Sequence, residues 1–432
     1  MEDAARLRVQ YLLAMAQNEV VLQQLNLHQF IRGRFRWRRG FRRRRIWRRT
    51  WLNPARRRAF GIFDQLLVEL RREDPSTFRK FLCMPPELYD EILERVRGRI
   101  WRQHTWFREP LNEGFKLAAT LRHLVSGTMY SDMQYGWRVP ENTLSVVVRE
   151  VCQAICEEYA DEVMTAPSTP DGWRQLSDGF YWRWNFPHCV AAIDGKHVAI
   201  RKPPLSGSLY YNYKGFFSII LLAIVDSDYK FVWCDVGGYG SSCDAQIYND
   251  SEFKELVEDG SINFPDPDPL PHDNVDIPYF LVGDDAFSLA KNMMKPYGQR
   301  DLSREQRILN YRLSRARRVS ENAFGIISNR FQILASKMNH LPSTARLIVK
   351  TCCILLNLMR MHYPVMNNAL IEHDEIRGNP VPGAWRRGRN LHDTVIVTGN
   401  NNQNKDGKIR NLLKHWCNSE VGSVPWQDRM VP

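Results

Sequence analysis

Cys189-Val-Ala-Ala-Ile-Asp-Gly-Lys-His-Val-Ala-Ile200 is an apolar, β-branched run with a single acid near its middle, and it reads as a buried strand carrying Asp194. Two further acids occupy comparable places before Phe331. Tyr279-Phe-Leu-Val-Gly-Asp284 is a shorter apolar run, by composition a second buried strand, with Asp284 at its end and Asp285 on the opposite face by alternation. Between Leu313 and Phe331, Val319, Ala323, Ile326 and Ile327 recur at helical spacing, while Arg317, Glu321, Gly325 and Ser328 share a face away from that stripe. A glutamate with a base one turn before it and a glycine one turn after it reads as an open acidic position.

The segments between these acids set their order. Phe216–Val225 is a long apolar strand that turns at Asp226-Ser-Asp228 and returns as Lys230–Val236, a β-hairpin. Gly237, Gly238 and Gly240 read as a loop, Asp244–Asp259 as a helix and Asp259–Pro278, rich in Pro and Asp, as a surface insertion. Strand, hairpin, helix, strand, helix is the order of an RNase H-like α/β fold, a mixed sheet flanked by helices. In that order the first and fourth strands are neighbours, so Asp194 and Asp284 meet and the later helix brings Glu321 to the same edge. Three hard oxygen donors there suit two Mg²⁺ ions about 4 Å apart, with Mn²⁺ as substitute, for phosphodiester chemistry.

Each acid alone has an ordinary explanation as a turn residue, a cap or a surface ion pair. Their combined order is what argues for a pocket. Asp244 sits where a helix N-cap is expected, and Asp250 is a weaker candidate still. His188 and His197 read as DNA-facing or structural, since no cysteine accompanies them at a zinc-ligand spacing.

A chain of 432 residues exceeds what one core usually supports, so two or more domains are expected. No run of about twenty apolar residues appears and Met1-Glu-Asp-Ala-Ala-Arg lacks a signal segment, so a soluble intracellular protein without a membrane role is expected. The nine cysteines fit neither a disulfide framework nor a zinc pattern and are expected to be reduced core residues. The eleven arginines between Ile31 and Arg49, with no acid among them, account for nearly all of the net charge of +12. Interleaved with Phe35, Trp37, Phe41, Ile46 and Trp47, they read as a phosphate-contacting arm, with Arg36, Trp37, Arg43, Arg44 and Arg45 as candidate DNA contacts. A nuclear-import signal is an equally good and compatible reading.

Residues 1–50 are therefore an amino-terminal helix plus this arm. Residues 51–175 read as an all-α DNA-binding domain: Ala59–Arg71, Pro86–Ile100, Leu111–Val125 closed by Ser126-Gly127, Ser131–Trp137 and Glu141–Tyr159 show helical periodicity. The last three have the outline of a helix-turn-helix, with Asn142, Ser145 and Arg149 placed to read base edges. A plain three-helix packing unit is the competing reading, because the polar face of the last helix is not strongly basic. Asp161–Arg174 looks like the linker into the catalytic domain, residues 176–365, which ends with the apolar helix Ala345–Met361. Residues 366–432 are expected to form a polar, mobile tail whose Ile409, Leu412, Leu413 and Trp416 make one short apolar face.

Asp194-Gly195, Tyr211-Asn-Tyr-Lys-Gly-Phe216, Asp226, Gly240-Ser-Ser-Cys-Asp244, Ser251, Gly283-Asp284, Pro296-Tyr297 and Asn310 through Gly325 together resemble the DDE endonuclease domain of PIF/Harbinger transposases and of the nuclease-like host proteins derived from them. The resemblance runs from about Pro187 to Phe331, with a looser likeness over Arg48–Pro170. It implies that Asp194, Asp284 and Glu321 are the catalytic, metal-binding acids, and that the chain excises and inserts DNA at terminal inverted repeats and a short target site. It also implies a Myb-like accessory partner. A homo-oligomer and a nuclear, in part cytoplasmic, location are expected too. Lys196, His197, Lys214, Arg317 and Arg318, beside the acids, are expected to meet DNA. Two departures stand out: Asp285-Ala-Phe287 replaces the family's small-Gly-Tyr, and Ser328 replaces a lysine, which removes one phosphate contact. The rival to an active transposase is a domesticated DNA-binding or chromatin protein that kept the fold. An RNase H-type ribonuclease is disfavoured, since the arginine arm suits duplex DNA better than a hybrid.

Overall fold

The structure, a computed structural model, describes residues 49–105, 109–298, 301–364, 373–374, 380–381, 384–387, 390–393 and 406–431. The amino-terminal helix and the arm residues Arg36, Trp37, Arg43, Arg44 and Arg45 lie outside them. The chain divides into two compact units, Met1–Asn53 and Pro54–Pro432. The described part of the first holds a 3₁₀ turn, Thr50–Leu52.

In the second unit, β1 (Cys189–Ala199), β2 (Ser218–Val225) and β3 (Phe231–Tyr239) form the expected antiparallel meander. β4 (Phe280–Val282) then pairs parallel to β1, and β5 (Met293–Met294) parallel to β4, giving the order β3-β2-β1-β4-β5. This is a mixed sheet flanked by helices, consistent with an RNase H-like domain. A last two-residue strand, β6 (His392–Asp393), pairs with β1 beyond the point where β4 stops. Alternation gives the sheet two apolar faces. Ile219, Leu221, Ala223 and Val225 face one core and Ile220, Leu222 and Ile224 the other, with Trp173, Tyr248, Phe253 and Phe287.

The helices are α1 (Pro54–Phe60), α2 (Leu66–Glu73), α3 (Pro75–Leu82), α4 (Pro86–Ile100), α5 (Glu113–Ser126), α6 (Tyr130–Trp137), α7 (Glu141–Val163), α8 (Pro170–Trp184), α9 (Asp244–Asn249), α10 (Glu252–Glu258), α11 (Arg304–Arg330), α12 (Pro342–His362), α13 (Asp406–Asn418) and α14 (Gln427–Met430). Asn112 caps α5 through Phe115 N–H and Gly127 closes it in the left-handed region. The succession α5, α6, α7 matches the expected one. α7 packs on α4, α5 and α6, and also on α12, so one apolar cluster runs from these helices into the sheet.

Several sequence expectations need correction. Ala59–Arg71 is two helices, because the chain bends at Gly61, where a Cβ would stand 2.4 Å from the Arg57 carbonyl. The expected linker Asp161–Arg174 is largely helical. Thr169 caps α8 through Gly172 N–H and Pro170 takes its first turn, so residues that read as a loop are a start signal. The 175/176 boundary therefore falls inside α8, whose Trp173 is wholly buried and donates to the Ile262 carbonyl at 2.9 Å. Asp244–Asp259 breaks into α9 and α10 where Ser251 caps the second through Lys254 N–H. β3 continues through Gly237 and Gly238; at Gly237 (φ +122°) a Cβ would meet the stem of Arg346.

α11 starts nine residues before Leu313, with a capping box of Ser303 and Gln306. Its Arg312 is wholly buried and donates to the Gly422 carbonyl (3.0 Å), to Gln427 Oε1 (3.1 Å) and to the Asn185 carbonyl. These bonds tie the carboxy-terminal segment to the helix, and the expected apolar face docks there with Leu413, Trp416 and Cys417 buried. All nine cysteines are free thiols. Among the described residues no helix is long and apolar enough to cross a membrane.

Candidate active site

Strand register brings the first two acids together. Ala192 pairs with Val282 across the parallel β1–β4 ladder, so two residues further along each chain come Asp194 and Asp284. Ala192 and Val282 belong to the apolar cluster that includes α11, so alternation turns Asp194 and Lys196 toward that helix, and Asp284, two residues past β4, lies within electrostatic reach of Arg317 and Lys196. Gly195 faces the other way, and a Cβ there would stand 2.2 Å from Asp244 Oδ1. α11 lies on β1 and presents Arg317 and Glu321 one turn apart.

Asp194 is buried. Its Oδ1 accepts from Gly195 N–H at 2.9 Å, while its Oδ2 receives no hydrogen bond and faces Lys196 Nζ at 3.2 Å. Asp284 Oδ1 accepts from Ala286 N–H at 2.9 Å. Burial, and after it the neighbouring Asp194, push the Asp284 carboxyl above its usual range against the opposing pull of Arg317 and Lys196. Glu321 pairs with Arg317 at 2.7 Å and lies 3.9 Å from Arg386.

Arg317 reports the convergence most directly. Burial works against its charge, but Glu321, Asp194 and Asp284 all act on the guanidinium and raise its pKa. Lys196 is treated alike: burial opposes its charge, and Asp194, Asp393 and Glu321 more than offset it. Asp194 and Glu321 are thus each ion-paired, to Lys196 and to Arg317, and Asp284 lies within electrostatic reach of both cations. Among the described residues no three His, Cys, Asp or Glu side chains stand close enough to hold a metal ion together. The pocket nonetheless suits a hard divalent cation in its chemistry, because its donors are carboxylate oxygens and the buried Asp194 Oδ2 lacks a hydrogen-bond donor.

The other candidates scatter. Lys196 is buried and occupied by Asp194 and Asp393, so it is not a free phosphate contact. His197 is corrected from DNA-facing to structural: it is fully buried, its Nδ1 lies 3.0 Å from Ser218 Oγ, and burial, with Lys214 and His392, lowers its pKa to about 4. His188 is likewise internal, with Nδ1–H donating to the Ile277 carbonyl and its ring stacked on Tyr279. Lys214 is exposed near the pocket, Arg318 is half-buried, and Asn142, Ser145 and Arg149 lie on the outer side of α7 with Asn142 and Arg149 exposed. Cys243, not Asp244, holds the N-cap position of α9; Asp244 is the helix's first residue and is fully buried.

The face of α11 beyond Glu321 is covered rather than open. A 3₁₀ turn, Ala384–Arg387, lays Trp385 on Gly325, where a Cβ would stand 2.3 Å from the indole, and Trp385 Nε1–H donates to Asn322 Oδ1 at 2.8 Å. Ser328, fully buried, turns back to the Phe324 carbonyl at 2.8 Å. Trp385, Arg386 and Asp393 escaped the sequence reading. Asp393 and Lys196 are 197 residues apart, and a short polar stretch in a tail carries no periodicity that would betray the contact.

Residues 193–357, which contain all three acids, match the DDE superfamily endonuclease family. Over 294 residues the chain is 27% identical to "Protein ALP1-like" of Arabidopsis thaliana, covering 66% of this chain and 71% of the relative. It is 25% identical over 280 residues to "Putative nuclease HARBI1" of Rattus norvegicus, with 64% and 76% covered, and 25% identical over 250 residues to the protein of that name in Homo sapiens, with 57% and 67% covered. No solved structure gives a significant match.

Proposed function

We propose, from the match of residues 193–357 to the DDE superfamily endonuclease family, that the chain is a PIF/Harbinger-like DNA transposase or endonuclease that cuts at terminal inverted repeats and joins 3′-hydroxyl ends to a short target site. The reading rests on one observation above the rest: the β1–β4 register brings Asp194 and Asp284 to the same end of neighbouring strands, under the helix that carries the Arg317–Glu321 ion pair. In this reading those three acids would hold two Mg²⁺ ions, or Mn²⁺ in their place, which when bound would supply an activated water or 3′-hydroxyl and a charge that stabilises the leaving oxygen. Asp194 on β1 and Asp284, two residues past the end of β4, repel one another and so favour a shared cation. Glu321, on a helix fixed to the sheet, is held at the pocket edge. Arg317 and Lys196 would have to release their acids for a cation to enter, and a released Arg317 would be free to donate to a phosphate oxygen.

The outer side of α7 with Asn142, Ser145 and Arg149, exposed Lys214, half-buried Arg318 and the arm at 31–49 complete the proposed DNA path. A Myb-like accessory protein, a homo-oligomeric assembly and a nuclear location belong to the same proposal. A second reading, a transposase-derived DNA-binding or chromatin protein without transposition, is favoured by the ion pairs of Lys196 and Arg317 inside the acid pocket.

Asp194→Ala is expected to abolish Mg²⁺-dependent nicking of DNA bearing the terminal repeats while leaving binding within about threefold of wild type. Equal nicking by both proteins in a gel assay would reject the assignment. Removing Ile31–Arg49 is expected to weaken binding to every duplex and flatten the dependence of log affinity on log salt. An unchanged slope would take the arm off the DNA.

A further inference from the structure

We infer that Asp393 is a positioning residue for the acid pocket: it acts through Lys196, offering the ammonium a second carboxylate to hold when a divalent cation takes its place beside Asp194. The inference rests on the metal-dependent reading above and assigns a role to a residue outside the three acids.

β4 runs beside β1 only as far as Ala192, which leaves the further part of that β1 edge open; β6 fills it, pairing Asp393 with Lys196 and His392 with His197. Lys196 Nζ then stands 2.5 Å from Asp393 Oδ1 and 3.2 Å from Asp194 Oδ2, bridging an acid on the strap to an acid in the pocket. Its Nζ lies 5.7 Å from the centre of the Phe324 ring and its side chain is nearly buried. The strap is held by more than this contact. Tyr213 Oη donates to the Asp393 carbonyl at 3.3 Å, Phe216 packs on His392 with ring centres 4.8 Å apart, and Trp385 anchors the preceding turn on Gly325. Arg386, next to that anchor, approaches Glu321. Both ends of the strap thus touch the charge balance of the pocket.

A divalent cation and an ammonium cannot share Asp194 Oδ2. Lys196 must retreat, and on a buried stem its ammonium needs another acceptor, because an unpaired buried charge is strongly unfavourable. Asp393 is already in contact, and its exposed side chain can follow the ammonium outward. With Asp393 neutralised, Lys196 would remain on Asp194 and compete with the metal.

The test reads Mn²⁺ binding to the full chain by electron paramagnetic resonance of the free ion, without turnover. Asp393→Asn is expected to weaken Mn²⁺ binding about fivefold, the equilibrium weight of an ion pair of this kind. Asp393→Glu, which keeps the charge, should stay within about twofold of wild type, and adding Lys196→Met to Asp393→Asn should restore binding because the competitor is gone. Equal affinity of wild type and Asp393→Asn would overturn the inference alone. So would a loss that Lys196→Met does not relieve, since Asp393 would then act as a direct ligand or a prop of the fold. A wild-type chain that binds no Mn²⁺ would overturn the metal-dependent reading and this inference with it.

Discussion

His123 and Asp194 are buried to nearly the same degree, 2% and 4% exposed, yet their surroundings treat them in opposite ways. Around His123 the groups are neutral, and one of them, His340 Nδ1, is buried without a hydrogen bond. Its Nδ1–H donates to the Thr128 carbonyl at 2.9 Å, which leaves a lone pair on Nε2 facing His340 Nε2 at 3.3 Å, and Tyr130 Oη lies 3.0 Å from the same His340 atom. A carbonyl only accepts, so His123 carries its proton on Nδ1 and leaves Nε2 as a bare acceptor. Burial, and then His340, lower the His123 pKa to about 4, and burial lowers that of His340 to about 4. Around Asp194 one oxygen is bonded, the other is not, and the neighbours are Lys196, Arg317, Asp284 and Glu321. Burial and a buried polar atom without a hydrogen bond are common to both clusters, at His340 Nδ1 and at Asp194 Oδ2; what sets the acid pocket apart is the surplus charge around that atom, an arrangement that admits exchange of one cation for another.

The contrast is sharpest if the two residues are truncated in turn. His123→Ala is expected to lower stability by about 2–4 kcal/mol, from a cavity under α5 and the loss of partners for Thr128 and His340, and to leave Mn²⁺ binding unchanged. Asp194→Ala, which should erase nicking, is expected to stay within about 1 kcal/mol of wild type, because Lys196 keeps Asp393 and a like charge beside Asp284 is removed. Urea titrations of both variants measure this. A larger loss at Asp194 than at His123 would make the acids part of the scaffold and dissolve the distinction.

A smaller effect separates the clusters by pH. The two histidines are depressed from about 6.5 to about 4, so the unfolded chain binds protons in that window while the folded chain does not. The stability they allow is complete above pH 6.5 and is lost as pH falls toward 4, at up to about 1.4 kcal/mol per unit for each histidine. His123→Ala should flatten that slope in urea titrations run at successive pH values. A slope unchanged by the substitution would place the titrating groups elsewhere.

The two clusters also differ in how far the sequence revealed them. The elements that carry the three acids were largely legible, because strand alternation at Asp194, the apolar run ending at Asp284 and the helical stripe around Glu321 are local patterns. Two-residue β5 and β6 are too short to carry a period of two, and the break at Gly61 depends on a backbone approach that composition does not show. The histidine cluster joins residues up to 217 positions apart and offered no local signal. Lys196 and His197, adjacent on one strand, were read alike as DNA contacts, whereas alternation sends one toward the acids and the other into the opposite layer. Knowing the strand was not enough; the faces had to be assigned residue by residue.

The finest probe lies at the edge of the pocket, at Gly325. A methyl group there would meet the Trp385 indole at 2.3 Å, closer than any real contact, so Gly325→Ala must displace the ring. Trp385 would leave a largely buried seat and its bond to Asn322, a loss offset in part by the gain of about 1 kcal/mol from replacing glycine inside a helix. Net stability is therefore expected to change by less than about 1 kcal/mol, while the strap loosens locally and tryptic cleavage after exposed Arg386 quickens. The acid pocket would then differ from the histidine cluster in one more respect, since a wall of it opens at almost no cost to the fold. Cleavage at the wild-type rate would show instead that β6 and its contacts hold the strap without its tryptophan, and the pocket would be as closed as the neutral network under α5.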